Sequence, residues 1–125
     1  MNTIEKGRLA EAKVVAQLVE LGYEVYLPFG GNTSCDLIAL RTGVLKRVEI
    51  KFTSDRTGPD SFEVSLRQIR PNRSGNKVKK FDATQADILA IFVVDTNDVI
   101  LFEDTTSLHG RSSITVHPWK NGRAD

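Results

Sequence analysis

Apolar residues recur at helical spacing over the first twenty positions and then change to strand-like alternation, so the chain reads as a helix followed by strands. Thr3 is placed to cap a helix running to about Leu21, with Glu5 in its first turn and Gly22 just past its end. Tyr23 to Phe29 (YEVYLPF) has the alternation and aromatic content of a strand, which Gly30, Gly31 and Asn32 then break. Cys35 to Arg41 and Leu45 to Thr53 read as two further strands joined by a tight turn at Thr42 and Gly43, an antiparallel hairpin.

Beyond Lys51 the chain is polar and turn-rich through Asp60, and Ser61 to Arg67 then predicts a short strand. Ile88 to Asp95 (ILAIFVVD) is too uniformly apolar for a surface strand and belongs deep in a sheet. Val99 to Glu103 follows as its partner across a turn at Thr96 to Asp98. From Thr105 onward there is little periodicity, and the last five residues, NGRAD, are expected to be mobile. The order of elements predicts an α/β protein with a mixed central sheet flanked by helices. No internal repeat or linker divides it, so residues 1–125 are expected to form one domain.

Length supports that expectation, because 125 residues suffice for one hydrophobic core without disulfides or structural metal. Cys35 is the lone cysteine, so no internal bridge can form and nothing points to an oxidising compartment. Charges at the N-terminus stand where a secretory signal needs an apolar run, and no stretch approaches the roughly 18 apolar residues of a membrane span. These features predict a soluble protein of the cytoplasm, or of the host cytoplasm if phage-encoded, with no membrane partner.

Seventeen Lys and Arg against sixteen Asp and Glu give a net charge of +1, which as a total identifies no partner. Its distribution says more: from 67 to 80 the segment RQIRPNRSGNKVKK carries Arg67, Arg70, Arg73, Lys77, Lys79 and Lys80 and no acid. A basic loop of this kind makes a local positive field suited to phosphates, and it also fits a plain solvated loop.

Glu11 falls among Ile4, Gly7, Val14, Val15 and Leu18 on a helical wheel, in the middle of the apolar face. A carboxylate there needs a cation, a hydrogen-bond donor or a wet cleft, unless it snorkels outward or pairs with Arg8. If Thr42 and Gly43 are the two turn residues, Arg41 pairs with Val44, and counting back sets Asp36 opposite Glu49. Directly opposed acids destabilise a bare sheet, and a divalent cation reverses that sign. Strand alternation gives Glu49 and Lys51 one face and Val48, Ile50 and Phe52 the other. A one-residue slip in the turn would send Asp36 to the opposite face, and E-x-K alone also fits an exposed face of alternating charge.

Carboxylates and water are the ligands Mg²⁺ prefers, with Mn²⁺ able to substitute, whereas a set without His or Cys argues against zinc. Asp36 and Glu49 would hold the metal, Lys51 would stabilise charge growing on a phosphate or position the attacking water, and Glu11 would bind a second ion or order water. His109 and His117 lack metal-ligand spacing.

A helix Glu (Glu11), then Asp36, then Glu49-Ile50-Lys51 across a hairpin resembles the PD-(D/E)XK nuclease superfamily. KGRLAEAKVVAQLVELGYEVYLPFGGNTSCDLIAL followed by KRVEIKFTS is similar to the small branch of cyanobacterial group I intron homing endonucleases and to archaeal Holliday-junction resolvases, with a weaker echo in FDATQADILAIFVV. The resemblance implies a restriction-endonuclease-like core of helix, three-stranded meander, helix and further strand. It also implies Mg²⁺-dependent hydrolysis of DNA and assembly as a homodimer or homotetramer. Cys35 stands where the family name has proline, which is not a ligand. Asp87 matches a recurrent polar position of the group and equally fits an acid that opens a strand. The function expected is a DNA endonuclease of homing or phage type cutting double strands. A Holliday-junction resolvase and a non-catalytic DNA-binding or assembly protein with the same fold are the alternatives.

Overall fold

A computed structural model describes residues 1–72, 75–118 and 123–124, with the side chains of 69–72, 75–78 and 123–124 excepted. Helix α1 spans Thr3–Glu20. Its cap is Asn2 rather than Thr3, because Asn2 and Glu5 form a reciprocal box: Asn2 Oδ1 accepts from Glu5 N at 2.8 Å, and Glu5 Oε1 accepts from Asn2 N at 3.3 Å. Gly22 takes φ +90°, the left-handed geometry that ends the helix and turns the chain into a sheet.

That sheet has five strands in the order β1-β2-β3-β8-β9. They are β1 (Glu24–Tyr26), β2 (Leu37–Arg41), β3 (Val44–Thr53), β8 (Ile88–Val93) and β9 (Asp98–Phe102). The Thr42–Gly43 turn is two residues long with both φ positive, and Arg41 pairs with Val44 as expected. β3 then pairs in parallel with β8, and β8 antiparallel with β9, so the sheet is mixed. Asp87 fixes the start of the parallel pair. Its carboxylate accepts from Arg47 N at 2.8 Å, Arg47 Nε at 3.0 Å and Arg47 Nη2 at 3.0 Å, a bidentate grip on β3.

The connection from β3 to β8 is built from strands. β4 (Asp55–Gly58) and β5 (Ser61–Ser65) join β10 (Ser113–His117) and β11 (Arg123–Ala124) in a second sheet, ordered β11-β10-β5-β4. Between them β6 (Gln68–Asn72) and β7 (Gly75–Lys79) form an antiparallel hairpin with Arg70 paired to Lys77. The segment expected as a basic loop is therefore a two-stranded ribbon. The β4 strand occupies a stretch expected to be turns. The tail after Thr105 is not irregular throughout either: β10 buries Ile114 and Val116 against β5.

The two faces of the five-stranded sheet carry different covers. Leu37, Ala39, Val48, Ile88 and Ala90 pack with Val14 and Leu18 of α1. Leu89, Ile91, Val93 and Ile100 pack with Phe62, Val64, Ile114 and Val116 of the second sheet and with Leu66 just past β5. The all-buried strand β8 serves both cores, which explains its unbroken apolar run. The α/β class and mixed sheet are as expected. The second covering layer is a sheet where the resemblance implied a helix, and residues 80–87, which lead into β8, form turns.

Burial and neighbouring hydrogen bonds from Arg47 act in opposite senses on Asp87, and the Arg47 bonds dominate, holding its carboxyl below the ordinary range. The contribution is present above the unfolded value of about 3.9 and is lost as pH falls through the lower folded value. Both side chains are more than a third exposed, so solvent screens the pair. Asp87→Asn is expected to cost about 1 kcal/mol at neutral pH. Urea unfolding of both proteins at stepped pH should show the gap closing below about pH 4; equal stability at pH 7 would remove the clamp from the account.

Candidate active site

Alternation along β3 decides what the site contains. Val48, buried, and Ile50 pack on the α1 side. Glu49, Lys51 and Thr53 therefore face the second sheet, where Thr53 Oγ1 donates to Glu63 O at 2.5 Å and Lys51 Nζ donates to Arg67 O at 3.0 Å. Glu49 Oε1 stands 3.6 Å from Lys51 Nζ, and the Glu49 side chain is only 12% exposed, so the pair neutralises a carboxylate largely removed from water.

Asp36 lies one residue before β2. The ladder ends at Leu37 with Val48, and one further step would set Asp36 against Glu49. At that step Asp36 N donates to Val48 O at 2.9 Å, and its carboxylate accepts from Ile50 N at 2.6 Å. Asp36 is thereby tied to the strand bearing Glu49 and Lys51. A cavity of about 160 Å³ brings the three together, lined by Thr33, Ser34, Cys35, Asp36, Glu49, Lys51 and Gln68. Thr33, Ser34 and Gln68 were not singled out in the sequence. Gln68 had a readable signal: it continues the inward stripe Phe62, Val64, Leu66 and, like them, is buried.

Glu11 stands elsewhere. The stripe α1 buries is Ala10, Val14 and Leu18, while Ile4 is 67% exposed, so Glu11 lies on the flank of the apolar face and not at its centre. It is exposed and lines a separate cavity with Arg8, Ala12, Val15 and Leu27. One loop links the two cavities, since Leu27 borders the first and Thr33 to Asp36 the second. Nor does Gly7 mark a close approach there, because a Cβ at that position would sit 3.9 Å from the Phe52 ring, an ordinary contact.

Among the described residues no group of three or more His, Cys, Asp and Glu converges as a metal cage. Asp36 and Glu49 offer two hard carboxylates, which suits Mg²⁺, an ion usually held by one or two carboxylates together with water and substrate phosphate. Burial pushes the Cys35 thiol up, and the Asp36 and Glu49 carboxylates push it the same way. His109 and His117 are engaged structurally, their Nδ1 atoms meeting Ala83 N and Asp60 O, each at 3.1 Å.

Of the six basic residues singled out, Arg67, Lys79 and Lys80 are exposed. Arg70 and Lys77 are paired through their backbones in the ribbon, and Arg73 lies outside the described residues. No described helix is long and apolar enough to cross a membrane.

A mixed sheet with a helix on one face, and an Asp, a Glu and a Lys brought together by its central hairpin, defines a restriction-endonuclease-like α/β fold. The chain belongs to the PD-(D/E)XK endonuclease family, whose model matches residues 1–124. Its structure is similar to that of a bacterial homing endonuclease, I-Ssp6803I, with a TM-score of 0.75 and 21% sequence identity over 93% of this chain and 78% of that one. No curated protein matches the chain in sequence.

Proposed function

We propose that this family member is a divalent-metal-dependent endonuclease of the homing type, cutting double-stranded DNA. The observation that carries the reading is the cavity shared by Asp36, Glu49 and Lys51. Asp36 and Glu49 would hold Mg²⁺, with Mn²⁺ able to substitute. When bound, the cation supplies activation of water and stabilisation of the leaving oxygen.

The protein's own part is positioning and charge. Asp36 is held by Ile50 N, so its free oxygen is presented from a fixed carboxylate. Lys51 has three N–H donors, of which one is spent on Arg67 O, and Glu49 is its Coulombic partner at 3.6 Å. An ammonium steadied in this way can donate to a non-bridging phosphate oxygen as negative charge grows there. Glu11, which lines the neighbouring cavity, would bind a second cation or order a water.

The ribbon fits the other half of the task. A two-stranded ribbon has the width to enter a major groove, and cations along it neutralise phosphates. The polarity of the reading, duplex over four-way junction, rests on this ribbon and on the likeness in fold to a homing enzyme. A second copy would supply the second strand's cut, giving a homodimer or homotetramer.

Asp36→Asn, which keeps an oxygen for Ile50 N, and Lys51→Ala are each expected to lower cleavage of DNA in Mg²⁺ by about 10²-fold or more. The measurement is single-turnover cleavage of supercoiled plasmid, a duplex pool and a synthetic four-way junction, with EDTA as the metal-free control. Preference for the junction would favour the Holliday-junction resolvase, and tight binding with no cut on any substrate would favour a non-catalytic DNA-binding protein. Glu11→Ala should lower the rate with a rise in the half-saturating Mg²⁺ concentration; an unchanged metal titration would remove Glu11 from the site.

Lys79→Ala with Lys80→Ala is expected to weaken DNA binding evenly across sequences and to flatten the slope of log affinity on log salt by about 2. Fluorescence anisotropy at stepped KCl concentrations reads this, and an unchanged slope would remove both lysines from the phosphate path.

A further inference from the structure

Neighbouring antiparallel strands need only a short connection, most often about two to five residues. β2 and β3 join through two, Thr42 and Gly43, whereas residues 27 to 36 separate β1 from β2 although Tyr26 already pairs with Ile38. That excursion is far longer than closure requires, and it is placed beside the site. Its first residue, Leu27, lines the cavity of Glu11, and its end, Thr33 to Asp36, lines the cavity of Glu49 and Lys51.

The end of the loop is fixed while its tip stands free. Thr33 Oγ1 donates to Cys35 O at 2.8 Å, and Asp36 N donates to Val48 O at 2.9 Å. At the tip Phe29 is 104% exposed, so its ring contributes no burial to the fold. Gly30 follows it with a φ of +86° that only glycine takes readily, but Gly31 lacks a left-handed φ, and a Cβ there would meet nothing within 4 Å. Folding does not call for a glycine at 31, and its bare backbone suits close approach by a ligand. No charged side chain occurs from Val25 to Cys35, so the tip can near a polyanion without repelling it.

We infer that Phe29 is a wedge, its ring inserting between base pairs of the bound duplex near the scissile phosphate and partly unstacking one step. The inference rests on the nuclease reading of the site. Continuity with that site is what selects DNA as the partner. Phe29 and Asp36 are seven positions apart on one loop. That length of chain spans at most about 25 Å, so the ring stays within about one helical turn of a duplex seated at the cavity. Apolar side chains inserted at a base step kink the duplex, and the cost depends on the flexibility of that step. The wedge thus selects among sequences without reading base edges.

The test uses the full chain, Phe29→Ala and Phe29→Leu, with duplexes that the wild type cuts, carrying 2-aminopurine in turn at positions on either side of the cleavage point. In EDTA the complexes form without cutting. Binding of the wild type is expected to raise 2-aminopurine emission at one step, where the base loses its stacking. Phe29→Ala should abolish that rise, weaken binding about 10-fold and slow single-turnover cleavage in Mg²⁺ by a similar factor. Its melting temperature should be unchanged, because the ring is fully exposed. Phe29→Leu, still an apolar wedge, should keep most of the rise. A mismatch at the same step, already poorly stacked, should return cleavage by Phe29→Ala to near the wild-type rate.

A rise absent from the wild type, or one that survives in Phe29→Ala, overturns the inference and leaves the nuclease reading intact. Light scattering covers the other occupant of an exposed ring, a second copy of the chain. If Phe29→Ala breaks an assembly while the 2-aminopurine response persists, the ring is a contact between subunits and the inference fails. Absence of cleavage by the wild type on every substrate overturns both.

Discussion

Everything at the site follows from the position of β3, which is hydrogen-bonded along both edges, antiparallel to β2 and parallel to β8. A strand held on both sides cannot slip or rotate, and a one-residue slip would exchange its faces. Val48 and Ile50 are committed to the helix side, so Glu49, Lys51 and Thr53 must face the second sheet. There the side chains fasten to carbonyls of the facing chain, Thr53 to Glu63 and Lys51 to Arg67. The polar face of β3 is thus built into the junction of the two sheets, and Lys51 is one of its fasteners.

This arrangement sets charge against stability. Asp36 and Glu49 share a small cavity, which in a purely structural sheet would be unfavourable. The protein offsets the repulsion locally: Ile50 N takes one Asp36 oxygen, and Lys51 stands beside Glu49. The raised thiol of Cys35 next door reflects its burial first and the neighbouring Asp36 carboxylate second.

Much of this was legible in the sequence because it depends on local rules. The two-residue turn at Thr42 and Gly43 set the hairpin register, and period-2 alternation put Glu49 with Lys51. The unbroken apolar run of β8 announced burial on both faces. What failed depended on long-range packing. Helical periodicity is broad enough to centre the apolar face of α1 on either Ala10 or Glu11, and contact with the sheet chose Ala10, Val14 and Leu18. The short strand at β5 was legible, but the second sheet was hidden because β4 and β10 are short and polar on their outer faces, and β10 finds its partner, β5, about fifty residues earlier. Gln68 was hidden for the same reason, since an inward stripe can be read only when its strand is known to face a core.

The crossover is what unites fold and site. Parallel neighbours such as β3 and β8 need a long connection, most often a helix laid across the sheet. A helix would seal that face, burying Glu49 and Lys51 beneath apolar side chains. Here the connection leaves β3 as β4, turns back as β5 and continues past the edge of the second sheet into the ribbon β6–β7 before returning to β8. The strand pair β5–β10 covers the apolar half of the face, where Leu89, Ile91 and Val93 lie. The chain that runs on from β5 then meets the polar half with the Arg67 carbonyl and the Gln68 amide. Strands in place of a helix therefore leave a cavity beside Asp36, Glu49 and Lys51, and the ribbon strand β6 begins on its wall at Gln68.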